Sequence, residues 1–467
     1  MPTQNPTDIL RHLILAGAEI WADGDKLRAR GPKGLMTAEV MASLRTHKDA
    51  ILRSLPELVF TIPLSPGQEA LWLIQHGDPD CAAYNIALTL RVESRSDPRP
   101  LLKQALQRLV NRHLVLRATY PMVDGRPRQQ IRAAAEVVLH EQAVDVSTPE
   151  ALHESLAQLN LRPFNLACET PLRCDLVEVG GGEYVLALCF HHIAADGWSM
   201  RMFVDELVEV LRAGRRAALQ PIRHTYKRFI DEQRQMLAEH GEGLRRYWFD
   251  ALDAAPRVLE LPSDRQRPAR QTFGGGVHLV TLAPTLAKDL RAVARRGKTT
   301  LYTALLAASQ VLLHRLSGQE DLCVGSPTAG RSEGYADTFG YLVNPIVVRS
   351  TISLDAPPTF LALLEQTRQR VLAGLEHESL PFAWLAKELL RERDASRSPL
   401  FQVMVVYQRE QEATGDAHEL LDNGVIEASG LRLSKIDVPQ RACEMDLVIE
   451  ISERDSGVEV AFRYNSD

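Results

Sequence analysis

Cysteine is scarce in this sequence: six residues in 467, Cys81, Cys168, Cys174, Cys189, Cys323 and Cys443, with no CxxC pair among them. Neither a disulfide framework nor a cysteine-based metal site is signalled, and reduced, buried thiols are the expected state. Long apolar runs are missing as well. No stretch approaches the roughly 20 residues needed to span a bilayer, and Asp8 and polar neighbours ahead of a short amphipathic segment are not the pattern of a signal peptide. No membrane contact is expected, and the predicted location is the cytoplasm. Basic blocks are absent, and with a net charge of −6 no nucleic-acid partner is expected either. What remains is an ordinary globular composition, 45% hydrophobic and 24% charged, in a chain long enough for two or three domains.

The densest run of chemistry-bearing residues is His191-His192-Ile193-Ala194-Ala195-Asp196-Gly197-Trp198-Ser199. A short apolar run, Tyr184 to Phe190, precedes it with the length and composition of a buried strand. After it Phe203, Leu207 and Leu211 recur every four residues and Gly214 can end a helix, so the spacing predicts a tight strand-to-helix turn. Neighbouring side chains diverge along an extended chain, so only one of the two imidazoles can face a given reactant. Imidazole is the side chain suited to accept or position a proton near neutral pH. Asp196 can hold the turn through a charge partner, and Gly197 lets a substrate approach the backbone. From the residues alone, such a pair also fits plain packing, or two zinc ligands, although no Cys or His cluster of ligand spacing accompanies it.

Before this stretch, the first sixty residues read as helix, hairpin, helix. Thr7 can cap a helix with Ile9, Leu10, Leu13 and Ile14 on its apolar face, ending at Gly17. Asp23-Gly24 between two short alternating runs is a hairpin signal, and Thr37 opens a second helix that Pro56 closes. A hairpin of this kind leaves strand edges that can take an added strand from a partner peptide; the bland reading is an N-terminal cap on the main body. Ser65-Pro66 then signals a helix start carrying Gln68, Leu71 and Trp72. Leu261 to Gln271 and Gly274-Gly275-Gly276 read as an exposed connection into a second lobe.

HHIAADGWS matches the HHxxxDG signature of the condensation domains of nonribosomal peptide synthetases, in the chloramphenicol-acetyltransferase-like superfamily. Other stretches resemble that family's motifs in the expected order: Leu64 to Trp72, with Ala70 where an Arg is usual; Arg112-His113-Leu114-Val115-Leu116-Arg117; a loose fit at His224 to Ile230; Phe339 to Pro345, with Pro345 where a Thr is usual; the Pro381-Phe382 end of a sixth; and Arg393 to Val403. The first 55 or so residues resemble the N-terminal docking domains of the tubulysin-synthetase type. The chain is thus expected to be α/β (α+β): an α-β-β-α docking domain over 1–56, then a V-shaped pair of acetyltransferase-like lobes over 60–260 and 261–467.

The resemblance implies amide-bond formation by attack of an aminoacyl amine on a donor thioester. His192 would be the catalytic group at the centre of a tunnel, with His191, Asp196 and Gly197 completing the turn. Arg112, Arg117 and Trp198 would support it, with Arg112 meeting Asp196, and Ser326, Asn344 and Tyr341 would lie on the substrate side. In the hairpin, Ile20, Trp21, Leu27 and Arg28 would receive the C-terminal tail of an upstream synthetase subunit. No metal or directly bound cofactor is expected. The phosphopantetheine arms of upstream and downstream carrier proteins would bring the substrates, and an adenylation domain would follow in the parent chain. A starter condensation domain using acyl-CoA has the same motifs. A heterocyclization domain would carry aspartates in place of the histidines, and an epimerization domain would not sit behind a docking segment. A non-catalytic recruitment domain is the reading from another class, and the intact His192, Asp196 and Gly197 weigh against it.

Overall fold

In the computed structural model, which describes residues 5–331, 334–389, 394–409, 416–421, 424–454 and 457–467, the chain opens with α1 (Pro6–Leu15), the hairpin β1 (Glu19–Asp23) and β2 (Lys26–Arg30), α2 (Ala38–Thr46) and α3 (Lys48–Ser54). Asn5, not Thr7, caps α1: its side chain accepts the Thr7 N–H at 3.1 Å, and Pro6 behind it supplies a φ already suited to the first turn. Thr37 caps the second helix, which breaks at His47 into α2 and α3. Leu10, Leu13, Ile14, Ile20, Leu44 and Ile51 bury one another, and Phe60 and Ala133 join the same cluster. The apolar side of this small segment therefore continues into the body that follows.

That body begins with β3 (Val59–Pro63) and α4 (Pro66–Gly77), where Ser65 and Gln68 form a capping box. It continues through β4 (Asn85–Ser94), α5 (Arg99–Arg112), β5 (Ala118–Thr119), β6 (Met122–Val123), β7 (Arg126–Arg132), β8 (Leu139–Gln142), α6 (Pro149–Asn160), β9 (Leu172–Gly180), β10 (Glu183–His191), α7 (Gly197–Ala213) and α8 (Tyr226–Ala251). The second half supplies β11 (Gly275–Leu282), α9 (Pro284–Arg296), α10 (Leu301–Ser317), β12 (Asp321–Thr328), β13 (Asn344–Thr351), α11 (Phe360–Glu376), α12 (Phe382–Leu389) and β14 (Val403–Arg409). It ends with α13 (Asp416–Leu421), β15 (Val425–Ala428), β16 (Leu431–Lys435), β17 (Leu447–Arg454) and β18 (Gly457–Asn465).

Two compact units result. One is built from the chain up to Arg234, together with Arg331–Leu342 and a stretch ending at Val438; the other takes Gln235–Gly330, a stretch from Val343 and the chain from Pro439. Two late segments thus belong with the first unit, which a linear division into 60–260 and 261–467 does not anticipate. The main sheet of the first unit has the order β15-β16-β4-β10-β9-β8. Its central strand β10 is buried from Tyr184 to His191, which is why the sequence there is continuously apolar rather than alternating. Register sets Leu188 beside Leu88 and His191 beside Asn85, so the histidines leave the sheet at its rim. A smaller sheet has the order β3-β7-β5, with β6 paired to β7.

The second unit carries the sheet β11-β18-β17-β14-β12-β13, in which β17-β14 and β14-β12 pair in parallel. The Pro- and Arg-rich stretch is fastened to this unit. Arg267 pairs with Asp446, and the Gln271 N–H bonds the Ala395 carbonyl at 2.8 Å. Arg393, the first residue of the RDxSRxPLFQV-like string, lies outside the described residues. All six cysteines are free thiols, five of them buried and Cys168 exposed. Among the described residues no helix is long and apolar enough to cross a membrane.

Candidate active site

At the end of β10 the ladder runs one step into the turn: His191 N–H bonds Pro171 O at 3.0 Å and His192 N–H bonds Tyr84 O at 2.8 Å. The chain then closes on itself through Ala194 N–H to His191 O at 3.0 Å and Ala195 N–H to His192 O at 3.3 Å. Ile193, Ala194 and Ala195 are fully buried, so the turn is packed from beneath. Asp196 caps α7, its Oδ1 accepting the Ser199 N–H at 2.9 Å. The helix therefore starts at Gly197, six residues before Phe203, the first of the periodic apolar positions. Asp followed by a helical pattern is the signal that marks this start.

The two imidazoles diverge. His191 is 1% exposed, and its Nδ1 accepts the Ile193 N–H at 3.0 Å. Its proton is therefore on Nε2, which donates to Gln75 Oε1 at 3.2 Å. His192 is half-buried, and its Nδ1 lies 2.8 Å from the Ala195 carbonyl. A carbonyl only accepts, so Nδ1 carries the proton and Nε2 is the accepting nitrogen. The Tyr341 ring meets the His192 ring edge-on at 5.3 Å.

Asp196 is fully buried and saturated with donors. Arg331 approaches it in a fork, Nη1 to Oδ2 at 2.7 Å and Nη2 to Oδ1 at 3.0 Å, and the Leu342 N–H adds a bond to Oδ2 at 3.0 Å. The same guanidinium reaches Ser199 Oγ at 3.0 Å. Ser199 Oγ in turn donates to Gly340 O at 2.9 Å and accepts from Gly340 N at 3.1 Å. Arg331 and residues 334–342 thus form a strap across the start of α7. A second layer grips the turn from the α4 side: Gln68 Nε2 donates to Ile193 O at 2.9 Å, while its Oε1 accepts from Ser65 N–H and Gln129 Nε2 at 3.1 and 3.0 Å. Tyr226 O–H donates to Tyr341 O at 2.8 Å. Glycine is required at two places here, since a Cβ on Gly340 would sit 2.2 Å from the Tyr226 ring and one on Gly67 2.8 Å from the Tyr341 ring.

Residues 60–467 match the Condensation domain family and residues 7–57 the TubC N-terminal docking domain family. This chain is a condensation domain. It belongs to the amide-bond-forming acyltransferases of nonribosomal peptide synthetases. One of the linear gramicidin synthase proteins of Brevibacillus parabrevis is 35% identical over 87% of this chain, which spans 5% of that relative. Phosphinothricin tripeptide synthetase PhsC of Streptomyces viridochromogenes is 32% identical over 94% of this chain, which spans 40% of its length. The solved X-domain from teicoplanin biosynthesis is 26% identical with a TM-score of 0.76, over 87% of this chain and 90% of that one.

Within the condensation domain, His191, His192, Asp196, Gly197 and Tyr341 come together, whereas Arg112 does not meet Asp196. Its Nε donates to Glu206 Oε1 at 2.8 Å and its Nη1 to Glu19 Oε1 at 3.2 Å. Arg331, 135 positions from Asp196, takes the role expected of Arg112. Arg117 does not meet an acid; it donates to the carbonyls of Asn111, Arg132 and Ala133, and full burial lowers its pKa to about 10. Trp198 is exposed, with Nε1 donating to Ala336 O at 2.8 Å and its ring beside Arg201 and Arg331. Gly197 faces open space, and an added methyl there would meet no protein atom within 4 Å. Ser326 and Asn344 belong to the second unit. Ser326 bonds Tyr302 and Val405 there, and Asn344 donates to the carbonyls of Glu378 and Leu380. In the hairpin, Ile20 is buried in the segment's own core, while Trp21 and Leu27 are half-buried and Arg28 is exposed.

Burial pushes the His191 pKa down from 6.5 to about 3. The folded chain therefore binds fewer protons than the unfolded one between those values, and stability is lost as pH falls through the window. This group alone contributes at most ~1.4 kcal/mol per pH unit. Urea unfolding of the parent and of His191→Gln from pH 7 to pH 4 is expected to give a shallower acid limb for the variant. Equal slopes would mean that His191 titrates alike in both states.

Proposed function

We propose that this condensation domain joins a donor acyl group, presented as a thioester on an upstream carrier protein, to the α-amino group of an aminoacyl thioester on a downstream carrier. The observation that carries the reading is the 2.8 Å contact between His192 Nδ1 and the Ala195 carbonyl. With Nδ1–H committed to Ala195 O, Nε2 is the nitrogen that can accept a proton from the attacking amine. The amine nitrogen bonds to the donor carbonyl carbon, the C–S bond breaks, and the proton shed by nitrogen passes by way of His192 to the departing thiolate. Thioesters are activated acyl donors, so most of the demand is alignment of two tethered reactants, with proton management at one position. Both substrates arrive on phosphopantetheine arms, which this domain does not itself carry.

The docking-domain match favours a carrier-bound donor over free acyl-CoA, because such a segment serves delivery from another protein. β1 and β2 pair only with each other among the described residues, so the hairpin can accept, as a third strand, the C-terminal tail of an upstream synthetase protein. Lys26 is exposed along β2 and suits an acidic tail, while Arg28, also exposed, is paired with Asp23 of the same hairpin. The free thiols fit a reducing compartment, and we place the domain in the cytoplasm, ahead of an adenylation domain in its parent chain.

Intact-mass detection of product on an aminoacyl-loaded downstream carrier tests this. Product is expected with an acyl-loaded upstream carrier and not with acyl-CoA alone. The reverse would make it a starter domain, and silence with a broad set of both donors would favour the recruitment reading.

A further inference from the structure

Most glutamates of a short surface segment lie in water. Glu19, the first residue of β1, does not: its side chain is 8% exposed and shares a buried charge cluster with the catalytic body. One carboxylate oxygen pairs with Arg30 across the hairpin and the other with Arg112 at the end of α5. Arg112, 3% exposed at its side chain, spends its planar fork in three directions, on Glu19, on Glu206 of α7 and on the Gln220 carbonyl. Glu206 Oε2 bonds His113 Nε2 at 2.7 Å, and the His113 ring stacks on Phe339 at 4.6 Å.

Two material routes lead from this cluster to Asp196. The first is α7 itself, which carries Glu206 and is capped by Asp196. The second is the strap, because Phe339 adjoins Gly340, which bonds Ser199 Oγ, and the strap ends at Leu342, whose N–H bonds Asp196. We propose that Glu19 is a positioning residue for amide formation, acting through Arg112, Glu206 and His113 on the helix start and strap that hold Asp196. The inference rests on the amide-forming reading, and it gives the docking hairpin a task besides receiving a tail. Without the Glu19 charge, Arg112 loses one of its two carboxylate partners, and Glu206, already bonded to both Arg112 and His113, is left as the one carboxylate against the guanidinium. Buried charges with too few counter-charges reorganise, and here both groups that would shift bear on the seat of the catalytic turn.

Diffusible thioesters of the donor acyl group and of the acceptor amino acid, made on N-acetylcysteamine, bypass carriers and docking alike. With these, Glu19→Gln is expected to lower kcat on the order of tenfold with KM held within about twofold, Glu19→Asp to recover part of the loss, and Arg30→Met, which leaves the Glu19–Arg112 contact in place, to stay within about twofold of the parent. Hydrogen–deuterium exchange needs no turnover, and it is expected to show faster exchange over residues 196–200 in Glu19→Gln than in Arg30→Met. Unchanged protection there, or an unchanged kcat beside a lowered melting temperature, overturns the proposal and leaves Glu19 a stabilising residue. An equal kcat loss in Arg30→Met overturns it too, by pointing to hairpin integrity instead. A parent protein that makes no product from any thioester would defeat the amide-forming reading, while the exchange result would still decide the relay.

Discussion

Alanine in place of His192 is expected to slow amide formation by roughly 10- to 10⁴-fold while the protein stays folded. The fold should hold because the turn is seated by other groups. Gln68 holds the Ile193 carbonyl, three buried small or apolar residues pack beneath, and Asp196 fixes the helix start. The size of the loss identifies the task. A loss near the lower end would mean that the ring orients the amine, since alignment by the two tethers would survive its removal. A loss near the upper end would mean that Nε2 carries the proton in the rate-limiting step, and the acid limb of the pH–rate profile, where a protonated ring cannot take the amine proton, should then disappear in the variant. Single-turnover mass measurement on loaded carriers, with melting curves of both proteins, separates these outcomes. Full activity in His192→Ala would remove the histidine from the mechanism.

Arg331→Met is expected to cost about 3–5 kcal/mol, the range for breaking a buried ion pair from one side. Against a total of about 5–15 kcal/mol that is a large fraction. Asp196 would keep its bonds from the Ser199 and Leu342 amides but lose both guanidinium contacts, in a place with no access to water. Activity should fall with stability, because the strap that carries Tyr341 to the edge of His192 is anchored through the same arginine. Arg331→Lys keeps the charge without the fork and should fall between the two. The pair Asp196→Asn, Arg331→Met should regain much of the stability and little of the activity. Chemical denaturation checks each step, and an unchanged midpoint in Arg331→Met would show that the pair is dispensable.

That arginine also marks where the sequence stops being informative. The turn at His191–Gly197 is legible because its chemistry is local: strand, two imidazoles, cap and helix fall within about thirty consecutive residues. The capping box at Ser65 and Gln68 is legible for the same reason. Partners across the fold are not. Arg112 sits in a string that names an arginine but not its acid, and the nearer match in motif order, Asp196, is the wrong one. Glu206 and Glu19 are single glutamates with nothing beside them to mark burial. Arg331 follows a glycine in a loop, and only the folded chain sets it against Asp196. Thr7, closer to the apolar face of its helix, draws the cap assignment away from Asn5. Sequence periodicity likewise gives α/β character for the whole chain but no hint that the stretch ending at Val438 returns to the first sheet.

That return has a consequence for how the protein comes into being. β16 lies against β4 in the finished sheet, yet Arg432 and its partner Glu93 are 339 residues apart in the chain. At the usual pace of synthesis, about 5–20 residues per second, β4 leaves the ribosome roughly 20–70 seconds before the strand that covers its edge exists. During that interval the nascent sheet presents unpaired backbone along an apolar strand, the kind of surface that recruits chaperones or other nascent chains. Splitting the gene at the apparent midpoint would make that interval permanent. A fragment ending near residue 260 is better regarded as a sheet waiting for its last two strands than as a lobe.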